Sequence, residues 1–129
     1  MPKVFSNIKK EPYKIEIKSP SGNTVIADEP LEKGGKNLGF SPKELLAAAL
    51  SACTSATLRM YIEKKEWNIP EINVETELIE IENKTIFSRK IKFSGEVDEQ
   101  QKERLINVAN ACPVHKILSH AIDFKTEII

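Results

Sequence analysis

Residues 41–65, SPKELLAAALSACTSATLRMYIEKK, read as one long helix with a cysteine near its middle. Ser41 suits the N-cap, Pro42 the first helical position, and Glu44 completes a capping box. The helix is expected to run to about Lys65, ending before Pro70. Its first half is apolar nearly all round, through Leu45, Leu46, Ala47, Ala48, Ala49, Leu50 and Ala52. Such a helix needs covering from more than one direction, and few large aromatics are available to do it. A second copy of the chain is the expected cover. Cys53 falls on a helical stripe with Leu46, Ala49, Leu50, Thr57 and Met60. The small neighbours pose a question, because a packed core wants large side chains at its centre.

Working outward, Tyr13, Ile15 and Ile17 alternate with Lys14, Glu16 and Lys18, the period of a half-buried strand. SPSGN then turns the chain, and Thr24 to Ala27 reads as the returning strand. The glycines at 34, 35 and 39 miss the dinucleotide-binding spacing and read as loop flexibility. After the helix, Ile72, Val74, Thr76 and Leu78 alternate with charge; the apolar phase then slips to Ile79 and Ile81, which predicts a bulge. ENK turns the chain, and Phe87, Ile91 and Phe93 mark a strand returning to Gly95. Asp98 and Gln101 form a second capping box before a helix bearing Leu105, Val108, Ala109 and Cys112. Pro113 interrupts, Val114, Ile117, Leu118 and Ala121 make a short second stripe, and DFKTEII closes as a strand. The order β-β-α-β-β-α-α-β describes an α+β protein with largely antiparallel sheet, in a single domain over residues 1–129.

Lysine plus arginine and aspartate plus glutamate both number 19, so no basic excess points to nucleic acid or to an anionic membrane. The first residues lack the apolar core of a signal peptide, and no apolar run approaches membrane-spanning length. Two cysteines far apart do not make a disulfide scaffold, so the expected setting is the cytoplasm, with both thiols reduced.

Cys53 taken alone reads as a small buried hydrophobe; the sharper reading is that its small neighbours leave room for a substrate or a second thiol. Cys112 stands directly before Pro113 and is a candidate N-cap for the helix through His120. Free N–H groups there favour thiolate over thiol. His115 reads as an exposed first-turn residue or as a proton relay, and His120 as a half-exposed helix end. If the sulfurs meet, a thiolate can attack a peroxide, become sulfenic acid and condense with its neighbour to a disulfide.

SPKELLAAALSAC followed by NACPVHKIL resembles the OsmC-like family, which includes the organic hydroperoxide resistance proteins. The likeness runs from about Tyr13 to the C-terminus in motif and element order. It implies an intertwined homodimer, with antiparallel sheets wrapped around long central helices and active sites at the subunit interface. Small residues around Cys53 would then admit the partner subunit and a substrate. The resemblance further implies reduction of small organic hydroperoxides, with Cys53 attacking the peroxide and Cys112 resolving it. An external dithiol, of lipoyl type in one branch, recycles the pair, and no cofactor is implied. The local argument differs, since it gives Cys112 the better thiolate environment. The best-studied branches place a glutamate ten residues before the first cysteine, where this chain has Lys43, with Glu44 one step later. Nine steps put Glu44 nearly opposite Cys53 on the helix, so it reads as a capping residue. Those branches also use an N-terminal arginine to activate the thiol. No arginine here precedes Arg59, which reads as a surface pair with Glu63, leaving Lys36 or Lys43 as substitutes.

The leading reading is therefore a dithiol peroxidase. The alternative is a non-catalytic OsmC-like dimer that binds a small apolar ligand or senses redox state, which the missing arginine favours. A metal site from Cys53, Cys112, His115 and His120 is a third reading, weakened because Cys53 has no close companion ligand. A cysteine hydrolase built on Cys112 and His115 lacks an orienting group.

Overall fold

The computed structural model describes residues 1–129. The chain divides into two compact units, Met1–Leu46 and Ala47–Ile129.

In the first unit, β1 (Phe5–Ile8), β2 (Ile15–Lys18) and β3 (Thr24–Ala27) form an antiparallel sheet in that order. Ile15 pairs with Ile8 on one side and Ala27 on the other, so the hairpin expected around SPSGN is present. β1 carries no alternating pattern and escapes a sequence reading; all four of its residues are exposed. The segment after β3 is organised by Asp28, whose buried carboxylate accepts N–H bonds from Glu29 (2.8 Å), Lys36 (3.3 Å) and Leu38 (3.1 Å). Its glycines are not loose linkers. A Cβ on Gly35 would run into the Glu29 backbone, and one on Gly39 into the Ile26 carbonyl. Close approach, and not flexibility, is what those positions need.

Helix α1 (Pro42–Lys65) starts where the sequence says it should. The Glu44 N–H donates to Ser41 Oγ at 3.2 Å and the Ser41 N–H to Glu44 Oε1 at 2.8 Å, completing the capping box. Its buried stripe is Leu50, Thr54, Leu58 and Ile62, an i, i+4 row. The expected stripe is rotated from this, for Leu46 is 50 % and Met60 69 % exposed. By length and composition alone α1 could cross a membrane, contrary to the expectation of no such run, because Leu45 to Leu58 carries no charge. A core helix passes the same test.

In the second unit, β4 (Ile72–Ile81) and β5 (Lys84–Phe93) form one long hairpin. The register runs without a break from Ile72↔Phe93 to Ile81↔Lys84, so there is no bulge. Leu78 and Ile79 are both half-buried while Ile81 is exposed; the apolar phase shifts near the turn because cover is partial on both faces there. Asn83 makes the turn at φ 60°. Helix α2 (Glu99–Asn110) carries the expected Asp98/Gln101 capping box, and α3 (Pro113–Ser119) follows with Cys112 as its N-cap. The core is Leu58, Ile62, Ile69, Leu105 and Ala109, flanked by Trp67, Ile72, Ile91 and Phe93. Arg59 does not make a surface pair with Glu63. Its guanidinium donates to the carbonyls of Ile69 (2.9 Å) and Pro70 (3.2 Å), tying the chain where it leaves α1. The closing strand is absent: residues 120–129 are irregular, with Phe124 88 % and Ile128 99 % exposed. A strand exists only where a neighbour receives its hydrogen bonds.

Candidate redox site

Three elements of the second unit bring the site together. Cys53 and Thr54 come from α1, Arg89 from β5, and Cys112 and His115 from the start of α3. Both cysteines are free thiols, Cys112 fully buried and Cys53 half-buried. Consecutive N–H groups serve the two sulfurs: Val114 donates to Cys53 Sγ at 3.5 Å and His115 to Cys112 Sγ at 3.4 Å. Pro113, which has no N–H, precedes them, so the donors fall where the helix leaves them free. Residues 61 positions apart thus meet through the Val114 N–H and the Cys53 sulfur.

Arg89 is the residue that reading the sequence missed. Nη1 donates to Thr54 Oγ1 (2.9 Å) and the Ala109 carbonyl (3.0 Å), and Nη2 to Asn110 Oδ1 (3.0 Å) and His115 Nδ1 (2.6 Å). One guanidinium therefore joins α1, the end of α2 and α3. The signal was available. Arg89 shares its phase with Phe87, Ile91 and Phe93, so it is a charge on the inward face of a strand. Neither Lys36 nor Lys43 is needed as a cation beside the thiols.

Burial pushes the Cys112 thiol up, but the opposing effects win and hold it below the ordinary thiol range. In order of weight these are the His115 N–H, the Thr54 hydroxyl, the Cys53 thiol and the charge of Arg89. His115 Nδ1 must accept from Arg89, since a guanidinium only donates, so the imidazole is neutral with its proton on Nε2. His115 is thus no surface residue; it belongs to the site. His120 does not, for its Nδ1 lies 3.0 Å from the Ala121 carbonyl. The four candidate metal ligands do not converge, and no three acidic, histidine or cysteine side chains form a metal-binding group. A recess of about 190 Å³ adjoins the site, walled by Leu50, Phe87 and Leu118 and by Arg89, His115 and Ser119.

Two free thiols that accept from adjacent N–H groups near a guanidinium thus sit on an α+β scaffold with antiparallel sheets and a long helix. The family model for OsmC-like proteins matches residues 34–127, and the chain belongs to that family. No curated protein sequence matches it. Among solved structures, it resembles a candidate osmotic stress induced and detoxification response protein from Psychrobacter arcticus. Identity there is 26 %, over 90 % of this chain and 85 % of that one, at a TM-score of 0.75. An OsmC-like protein of unknown function from Vibrio cholerae has the same fold at 14 % identity, covering 92 % and 94 %, with a TM-score of 0.76. So has the organic hydroperoxide resistance protein OhrB of Bacillus subtilis, at 22 % identity, 95 % and 93 % coverage and a TM-score of 0.65. Membership supports a redox function of the peroxidase type.

Proposed function

We propose that this protein is a thiol-dependent peroxidase that reduces small organic hydroperoxides. Cys53 attacks the peroxide and becomes a sulfenic acid, and Cys112 condenses with it to a Cys53–Cys112 disulfide. An external dithiol, for which a lipoyl group is suited, then restores both thiols. The observation that carries this reading is the placement of the two sulfurs on the adjacent N–H groups of Val114 and His115. Cys53 is the sulfur a substrate can reach, since Cys112 is buried. The apolar wall of the neighbouring recess suits an organic group better than hydrogen peroxide. The setting proposed is the cytoplasm, where thiols are kept reduced between turnovers.

The working unit proposed is an intertwined homodimer. Leu46, Ala49, Ala52, Ala56 and Met60 leave one face of α1 exposed, and the apolar tail around Phe124 and Ile128 has no strand to pair with. A second copy can cover both.

Replacement of each cysteine by serine tests the reading. Cys53→Ser abolishes hydroperoxide reduction. Cys112→Ser leaves a sulfenic acid but no two-hydrogen mass loss on mild oxidation. Full dithiol-dependent activity in both variants sinks the proposal. The sequence feature that favoured a non-catalytic binder, the lack of an arginine ahead of the thiols, loses its force once Arg89 stands beside them.

A further inference from the structure

The recess of about 190 Å³ beside the thiols joins an apolar wall to a single cation. Phe87 and Arg89, two apart on β5, share one face of the strand and line it together. His115, Leu118 and Ser119, at i, i+3 and i+4 on α3, line it from one helix face, and the buried Leu50 comes from α1. No acidic side chain is among these residues. Every acceptor that Arg89 holds is neutral: a hydroxyl, a carbonyl, an amide oxygen and an imidazole. Neither sulfur is among its hydrogen-bond partners. A half-buried guanidinium bound only by neutral groups lacks a counter-charge in contact with it, which is costly away from bulk water.

Two donors at the recess are unused. The four bonds of Arg89 are made by its Nη atoms, which leaves Nε–H without a partner. His115 Nδ1 accepts from Arg89, so the imidazole proton is on Nε2, and that N–H has no partner either. Neither nitrogen is sealed in the protein, since Thr76 Oγ1 is the one fully buried side-chain N or O atom without a hydrogen bond. Both N–H groups are therefore within reach of a molecule from outside. Ser119 adds no donor, because its hydroxyl gives its proton to the His115 carbonyl at 2.7 Å.

We propose that this recess is a binding site for a small organic monocarboxylate. The carboxylate takes the Arg89 Nε–H and His115 Nε2–H groups, and the hydrocarbon part lies against Leu50, Phe87 and Leu118. Such an acid is ionised at neutral pH, accepts a hydrogen bond on each oxygen and supplies the counter-charge that Arg89 lacks. The space equals that of about six waters at roughly 30 Å³ each, which accommodates a chain of roughly five carbons. Phosphate would satisfy the guanidinium and leave the apolar wall uncovered. A neutral alcohol would cover the wall and leave the charge unmatched. The proposal rests on the recess alone and not on the peroxidase reading, since it involves no redox step.

Calorimetric titration of the full chain, with its thiols reduced, by sodium pentanoate tests this. Saturable binding of one pentanoate per chain is expected. Acetate, shorter by three methylenes, and 1-pentanol, which has no charge, should each bind at least about tenfold more weakly. Arg89→Gln should weaken pentanoate binding roughly tenfold or more, and Arg89→Lys should restore most of it. Should Arg89→Gln fail to fold, Leu118→Trp provides the second reading: it fills the recess and abolishes binding while the far-ultraviolet circular dichroism stays that of the wild type. Absence of saturable pentanoate binding overturns the proposal, and so does binding that survives Leu118→Trp. Equal affinity for phosphate would make the recess a bare anion site, and equal affinity for 1-pentanol a plain apolar pocket; either result also overturns it. The titration contains no peroxide, so its failure leaves the peroxidase reading standing, and a lack of hydroperoxide reduction leaves this proposal standing.

Discussion

Thr54 and Cys112, 58 positions apart in the chain, meet with the threonine hydroxyl 3.7 Å from the sulfur. The same hydroxyl donates to the Leu50 carbonyl at 2.7 Å and accepts from Arg89 at 2.9 Å. With one proton to give, it serves the carbonyl when Cys112 is a thiol and can turn to the sulfur when Cys112 is a thiolate. Thr54→Val keeps the shape and removes the relay, and is expected to cost about 1 kcal/mol in urea unfolding. Thr54→Ser keeps the hydroxyl, so it should retain the wild-type reactivity of Cys112 while losing about 1 kcal/mol of methyl burial.

The direction of the Cys112 shift fixes a pH dependence of stability. Its folded value lies below the unfolded one. Between those two values the native state has released a proton that the unfolded chain still holds. Stability from this group therefore rises as pH climbs through the folded value, is complete above the ordinary thiol value, and is lost on the way down. Denaturation midpoints of the wild type measured against Cys112→Ser across that window should diverge as pH rises. Parallel curves would contradict the shift.

Leu58 is wholly buried at the centre of the core formed with Ile62, Ile69, Leu105 and Ala109. Leu58→Ala should remove about 2–5 kcal/mol, since the helix and sheet around it relax only partly into the cavity. A lower urea midpoint with an unchanged slope is the expected signature.

Asp28 holds the loop after β3 through three backbone N–H groups. Burial raises its carboxyl value, but the N–H bonds from Leu38, Glu29 and Lys36 lower it by more. Its contribution to stability is thus present above the unfolded carboxyl value and disappears as acid takes the pH through the depressed folded one. Asp28→Ala should expose residues 29–40 to limited proteolysis at neutral pH. Gly39→Ala should do the same, because its Cβ meets the Ile26 carbonyl. Wild-type resistance in both variants would refute this account of the loop.

The exposed face of α1 predicts a dimer in solution. Light scattering should give twice the chain mass for the wild type and the single-chain mass for Met60→Glu. Met60 is 69 % exposed, so within one chain the substitution should change stability by no more than about 0.5 kcal/mol. A wild-type monomer would remove the dimer from the proposal.

The sequence by itself determined α1, its capping box, the β2–β3 and β4–β5 hairpins, the start of α2 and the Cys112 cap, because each is fixed by neighbours within a few residues. It also singled out both thiols, and the motif order pointed to the family. Only the tertiary structure decided which face of α1 is buried, since a helix apolar nearly all round carries no phase to read. It alone brought Arg89 to the sulfurs, showed Gly35 and Gly39 as points of close packing, and left the final residues without a strand. Each of these depends on partners far away in the chain, and spacing along a sequence says nothing of distance between its remote parts.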